Sequence, residues 1–348
     1  MLSRSHFLSQ LYFKNYRDLK PRILYLVDTR IKEIVNVIHY LVTRFGEKGE
    51  KEDLISFILH NFEEIFPERA FSKRMKNKFV YPNLFLTLRD LGLIYSDKDH
   101  CYLTDDAFRI SEYVMNDKRE EAHLFISALA IARGSMDLLL YCILRGLNTN
   151  VVCNEEELLK DDFVINNEKL VNCVYEQSYF PSLNAAKRRL SDYKRFLKEA
   201  RVLEKTRNRV FLNCQQLRKI SRLARMIKAE DLSTICNLEV VNDFFLVKKE
   251  DKRIIYIPLH AYEIELHDPF FLKRLEENLP IIEGRATHIE LYLLVRFPLQ
   301  QAPMAREPII NFLKNLKIVH NIREIKFLHE YILVNMALEG FVSNLSLS

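Results

Sequence analysis

The chain has 348 residues and a formal net charge of +5, with 48% hydrophobic and 28% charged residues. That length points to two or three domains, and the apolar content supports a sizeable core and excludes a disordered chain. Seven glycines and no tryptophan argue against a β-rich fold or an enzyme built on glycine loops.

The six cysteines, Cys101, Cys142, Cys153, Cys173, Cys214 and Cys236, contain no C-x-x-C pair, so finger-type metal sites are not expected and reduced thiols are. Met1–Lys20 carries charges throughout and lacks the apolar run of a signal peptide. No apolar stretch has the length of a membrane span, so a cytoplasmic protein with no membrane partner is expected.

Residues 1–29 read as a helical arm. Within 30–116, Ile31, Ile34, Val35, Ile38 and Leu41 recur at helical spacing, and Gly46 ends that helix. Leu54, Ile55, Ile58, Leu59, Phe62 and Ile65 repeat the pattern up to Pro67. Pro82 suits a first helical turn, Leu84, Leu88 and Leu91 form one face, and Gly92 closes it. Leu93–Tyr95 and Cys101–Thr104 then flank a polar turn. The run Leu88–Ile94 followed by Tyr102-Leu103-Thr104 resembles the winged-helix pattern of prokaryotic DNA-associated proteins. The resemblance implies a winged-helix unit with Lys73, Arg74, Lys76, Lys78 and Arg89 available to phosphates.

Residues 117–231 repeat the order of helices, last helix and hairpin. Helices are expected on both sides of Gly134 and near Lys169–Tyr175. In Pro181–Asn213 the apolar residues Ala186, Leu190, Tyr193, Phe196, Leu197 and Ala200 share one helical arc. Lys187, Arg188, Lys194, Arg195 and Lys198 share the opposite one. Two strands follow around Thr206-Arg207-Asn208 and add Lys205, Arg207 and Arg209. A basic helix running into a basic hairpin is the layout of a winged helix-turn-helix. Between Lys187 and Lys228 fifteen Lys and Arg face only Asp192, Glu199 and Glu204, so the signs are not interspersed as on a salt-bridged surface. This is the electrostatic footprint of a nucleic-acid partner. A basic helix Gln215–Lys228 closes the unit.

Residues 232–348 change character. Phe244–Val247, Ile254–Ile257, Ile289–Val295, Ile322–Phe327 and Tyr331–Val334 read as strands, with helices over Pro269–Asn278 and Glu307–Leu316, which gives a small α/β domain. The tail, from His329-Glu330-Tyr331 to Ser343-Asn344-Leu345-Ser346, resembles phospholipase D-like domains, whose strand opens with H-x-K and continues towards G-S-x-x-N-L. The resemblance places His329 at the nucleophile position that attacks phosphorus. The lysine position holds Tyr331, which implies a degenerate domain. Glu324-x-Lys326, with Glu290 or Asp268 upstream, is the other candidate, in the manner of a restriction-type nuclease.

The expected fold is mainly α with α+β parts: two winged-helix units followed by a small α/β domain. The expected function is double-stranded DNA binding, as the recognition or scaffold component of a prokaryotic defence, mobile-element or transcription system. No cofactor or metal is expected. Further protein subunits and a second copy in a homodimer are the other expected partners. Two alternatives are a phospholipase D-like nuclease targeted by winged helices, and a docking subunit whose winged helices bind protein.

Overall fold

A computed structural model of the chain describes residues 4–14, 16–17, 20–26, 29–145, 167–206, 209–241, 245–249, 253–263, 289–296 and 322–345. The N-terminal segment forms α1 (Arg4–Lys14) and a short hairpin, β1 (Tyr16–Arg17) with β2 (Lys20–Pro21). Helix α2 (Ile31–Phe45) follows, its apolar face fully buried and its end set by Gly46 at φ 62°. Strand β3 (Lys48–Glu50) leads into α3 (Lys51–His60) and α4 (Phe62–Ile65), two helices broken at Asn61. Next come α5 (Lys73–Lys78), a kinked turn Phe79–Leu84 containing a cis Tyr81–Pro82 peptide, and α6 (Phe85–Asp90). The hairpin β4 (Ile94–Ser96) and β5 (His100–Leu103) pairs with β3 in an antiparallel sheet of order β3-β5-β4. Helix α7 (Asp105–Met115) returns along α2.

Gly92, between α6 and β4, is required twice over. Its φ is 72°, and a Cβ there would lie 2.7 Å from the Arg133 guanidinium.

Helices α8 (Arg119–Ala132) and α9 (Met136–Arg145) follow, then α10 (Asn167–Gln177), α11 (Leu183–Glu199) and the hairpin β6 (Leu203–Thr206) with β7 (Arg209–Leu212). Helix α12 (Cys214–Cys236) is longer than its sequence pattern indicates and runs straight through the boundary at residue 231. It enters a five-stranded sheet of β8 (Leu238–Val241), β9 (Phe245–Lys248), β10 (Ile254–Pro258), β11 (Ile289–Val295) and β12 (Ile322–His329), in the order β12-β11-β10-β9-β8. The last three strands are parallel and the first two antiparallel. Helix α13 (Glu330–Leu345) ends the described chain.

The fold is thus mainly helical with α+β parts. One large apolar core runs from α2 through α8 and α11 to one face of the five-stranded sheet, and a smaller core joins α1, α12 and α13 to the other face. No single described helix is long and apolar enough to cross a membrane.

Three expectations need correction. Tyr331–Val334 is helical, not a strand, because β12 ends at His329 and Glu330 turns into buried ion pairs at the start of α13. The cysteines are not all reduced: Cys142 of α9 and Cys173 of α10 form a disulfide with their Cα atoms 5.6 Å apart. The basic helix expected over Gln215–Lys228 turns its C-terminal charges inward, since Arg225 and Lys228 are buried. The helices expected at 269–278 and 307–316 lie outside the described residues.

Candidate nucleic-acid interface

Helix α11 starts at Ser182, whose Oγ accepts the Ala185 N–H at 3.2 Å. Ala186, Leu190, Tyr193, Phe196 and Leu197 are buried, as their shared arc requires. Lys187, Arg188 and Lys198 are exposed, and Lys194 and Arg195 are half-buried beside them. Among the described residues no carboxylate lies within ion-pair distance of Lys187, Arg188 or Lys198.

The helix has two acids, and both are engaged within the protein. Asp192 pairs with Arg195 and lies 3.9 Å from Arg189. Glu199 accepts the Ile31 N–H at 2.7 Å. The outward stripe of α11 itself is therefore basic, with Glu168 of α10 across the groove between the two helices. Burial lowers the Lys194 ammonium, and the neighbouring Lys198 charge adds to that; an approaching anion acts in the opposite direction. A groove of about 730 Å³ runs between α10 and α11, lined by Val171 and Leu190 and by the charged residues Glu168, Lys187 and Lys194.

Lys205 and Arg209 lie on the two strands of the hairpin that follows α11, where Lys205 pairs with Val210 and Thr206 with Arg209. Arg207 lies outside the described residues. In the first unit Lys78 is exposed, whereas Lys76 pairs with Glu63 and sits 5.0 Å from the Phe62 ring centroid. Lys76 is therefore turned towards its own scaffold. The β4–β5 hairpin is covered on one flank: Tyr95 stacks on Tyr102 at 4.7 Å, and Phe7 of α1 lies 5.0 Å from Tyr95. Its turn is held by Asp97, which accepts the His100 N–H at 2.8 Å, the Asp99 N–H and the Tyr102 hydroxyl.

His329 is 3% exposed at the end of β12, and its Nδ1 accepts the Tyr331 N–H at 3.2 Å. Attack on a DNA phosphodiester requires an imidazole that the phosphate can reach, and this ring is enclosed. Glu324 and Lys326 are exposed and paired with each other at 2.8 Å, with Glu290 the strand partner of Glu324. Asp268 lies outside the described residues. Among those described, no group of three or more His, Cys, Asp or Glu is arranged to hold a metal ion.

The sequence pattern passes over a buried ionic joint at the carboxyl ends of the parallel strands. Arg133 of the α8–α9 turn grips Asp231 of α12 through Nε at 2.7 Å and Nη2 at 2.8 Å, and reaches Asp106 at 2.7 Å. Arg296, next after β11, pairs with Glu330 at 2.9 Å and lies 3.5 Å from Asp137. Lys228 pairs with Glu330, and Arg225 with Glu263 at 2.8 Å. In open α/β sheets this edge is the usual place for a ligand. Here charged side chains of opposite sign fill it and fasten the helices to the sheet. Burial raises the Glu330 carboxyl, but the charges of Arg296 and Lys228 outweigh it and hold it below its ordinary value.

No family model, curated protein or solved structure matches this chain.

Proposed function

We propose that this protein binds double-stranded DNA through the outward face of α11 and the hairpin after it, with residues 30–116 and 117–231 acting as two winged-helix units. The observation that carries the reading is the disposition of charge on α11. Its apolar arc is buried, and both of its acids are consumed by internal bonds. Lys187, Arg188 and Lys198 are exposed along the other arc, with Lys194 half-buried beside them.

Lys187 and Lys198 are about 16 Å apart along the helix axis. That exceeds the roughly 12 Å width of the B-DNA major groove. The two ends of the stripe thus reach the backbones on either side while the middle lies in the groove. Interactions of this kind bind through phosphate neutralisation and counterion release. In this role the protein is a recognition or scaffold component of a larger DNA-handling system, and catalysis belongs elsewhere.

The test is fluorescence anisotropy with a labelled 30-base-pair duplex, a single strand of the same length and heparin as competitor. The duplex is expected to bind at least tenfold more tightly than the single strand, and changing Lys187, Arg188, Lys194 and Lys198 to alanine removes the preference. Equal affinity for all three polyanions would contradict a groove-fitting helix.

A further inference from the structure

The bonded cysteines gather in the unit that carries the basic stripe. Cys142 of α9 is joined to Cys173 of α10, and Cys214, next after the β6–β7 hairpin, is disulfide-bonded as well. The two free thiols among the described residues, Cys101 and Cys236, lie outside α8–α11, and burial pushes both up to about 12. Neither is a thiolate at neutral pH, so neither competes in thiol exchange.

Helix α10 packs between α9 and the presenting helix α11. It is short and mostly polar; its three aliphatic side chains, Leu170, Val171 and Val174, are buried, as is Gln177. The bond to Cys142 adds a covalent tie to these contacts. Val171 also lines the groove that Lys187 and Lys194 line from α11. The two residues differ in exposure: Cys142 is 1% exposed, whereas Cys173 is half-buried.

We propose that the Cys142–Cys173 bond is a thiol–disulfide exchange site for a dithiol reductant, and that duplex binding is a property of its oxidised form; the proposal rests on α11 being the DNA-binding helix. A thiolate of the dithiol attacks the Sγ of Cys173, the more exposed of the two residues. This forms a mixed disulfide and expels the Cys142 thiolate, which takes up a proton. The second thiol of the reductant then attacks its own sulfur in the mixed disulfide, releasing Cys173 as a thiolate and leaving the reductant oxidised by two electrons. Helix α10 then loses its covalent tie to α9, and the support behind the Lys187–Lys194 side of the groove loosens.

The full chain is compared before and after dithiothreitol, with duplex affinity read by anisotropy and backbone hydrogen exchange read over residues 168–177. Reduction is expected to weaken duplex binding at least fivefold and speed exchange in α10, with both effects reversed on reoxidation. The C142A/C173A variant is expected to bind like the reduced protein and to ignore dithiothreitol, which separates this bond from that of Cys214. A C101A variant should respond like the unaltered chain. Equal or tighter binding after reduction overturns the switch and leaves the DNA reading intact, as does unchanged α10 exchange. Failure of both redox forms to bind duplex overturns the DNA reading itself, and the switch with it.

Discussion

The Glu199 carboxylate, in the last turn of α11, accepts the backbone N–H of Ile31 at the first residue of α2, at 2.7 Å. One helix that presents positive charge thereby caps another in the preceding unit. The same helix is fastened a second time, because Arg189 Nη1 donates to the Leu26 carbonyl at 2.9 Å and its guanidinium lies 4.6 Å from the Tyr25 ring. Tyr25 in turn donates its N–H to Asp90 of α6 at 3.1 Å. The strap 22–26 and the start of α2 hold α11 in a fixed pose against the first unit.

Glu199→Ala removes that cap and is expected to lower stability by about 1 kcal/mol, measured by urea unfolding. Glu199→Gln keeps an acceptor oxygen and should retain most of it. Burial raises the Glu199 carboxyl above its ordinary value. The folded state therefore holds this proton more tightly than the unfolded one. Ionisation at this position is a cost that grows as pH rises from the ordinary carboxylate value through the raised one. Glu199→Gln should flatten the stability profile over that window. An alanine variant as stable as the unaltered chain would show that the bond is incidental.

Lys228 and Glu330 are both fully buried, and Arg296 shares the same carboxylate. Lys228→Met leaves Glu330 short of half its compensation in a dry site. The expected loss is about 3–5 kcal/mol, and Lys228→Met/Glu330→Gln should recover part of it. Unfolding by denaturant gives both values, and a loss under about 1 kcal/mol would mean the joint is solvated.

His260 supplies the pH signature of the same region. Burial holds its imidazole well below the ordinary histidine value, and the charges of Lys228, Arg225 and Arg296 add to that. The folded pKa is depressed, so the unfolded chain takes up this proton first. The stability His260 provides is present above about pH 6.5 and is lost as pH falls towards the folded value. Thermal unfolding between pH 7.5 and 5.5 should show this loss, and His260→Gln should reduce its slope. An identical slope in the variant assigns the acid sensitivity to other groups.

Helix α11 is legible in the sequence because its period is unbroken: Ala186, Leu190, Tyr193 and Phe196 mark a buried arc without help from the rest of the chain. The same one-dimensional reading misplaces Lys228, since it counts charge but does not say what covers it. A signal is present, because Lys228 and Asp231 fall in the arc of Leu217, Ile220, Ala224 and Ile235, the buried face of α12. Tyr331–Val334 reads wrongly as a strand because a short apolar run has no period that separates strand from helix. The partners of Arg195 and Lys76 are also out of reach: the first is diverted by Asp192, three residues away, and the second by Glu63. Nothing in a separation of 31 residues marks Cys142 and Cys173 as neighbours.

The dependence of duplex affinity on salt is the sharpest measure of whether α11 is the DNA-binding helix. Each phosphate interaction removed should lower the slope of log affinity against log salt by about 0.9. Changing Lys187, Arg188, Lys194 and Lys198 to alanine preserves good helix formers and should leave the fold intact. This variant should bind much more weakly at moderate salt, with a slope flatter by about three to four. Changing Lys248 and Lys249, at and just beyond the end of β9, should leave the slope as it was. An unchanged slope in the α11 variant, or an equal change in both variants, would contradict the assignment of α11 as the DNA-binding helix.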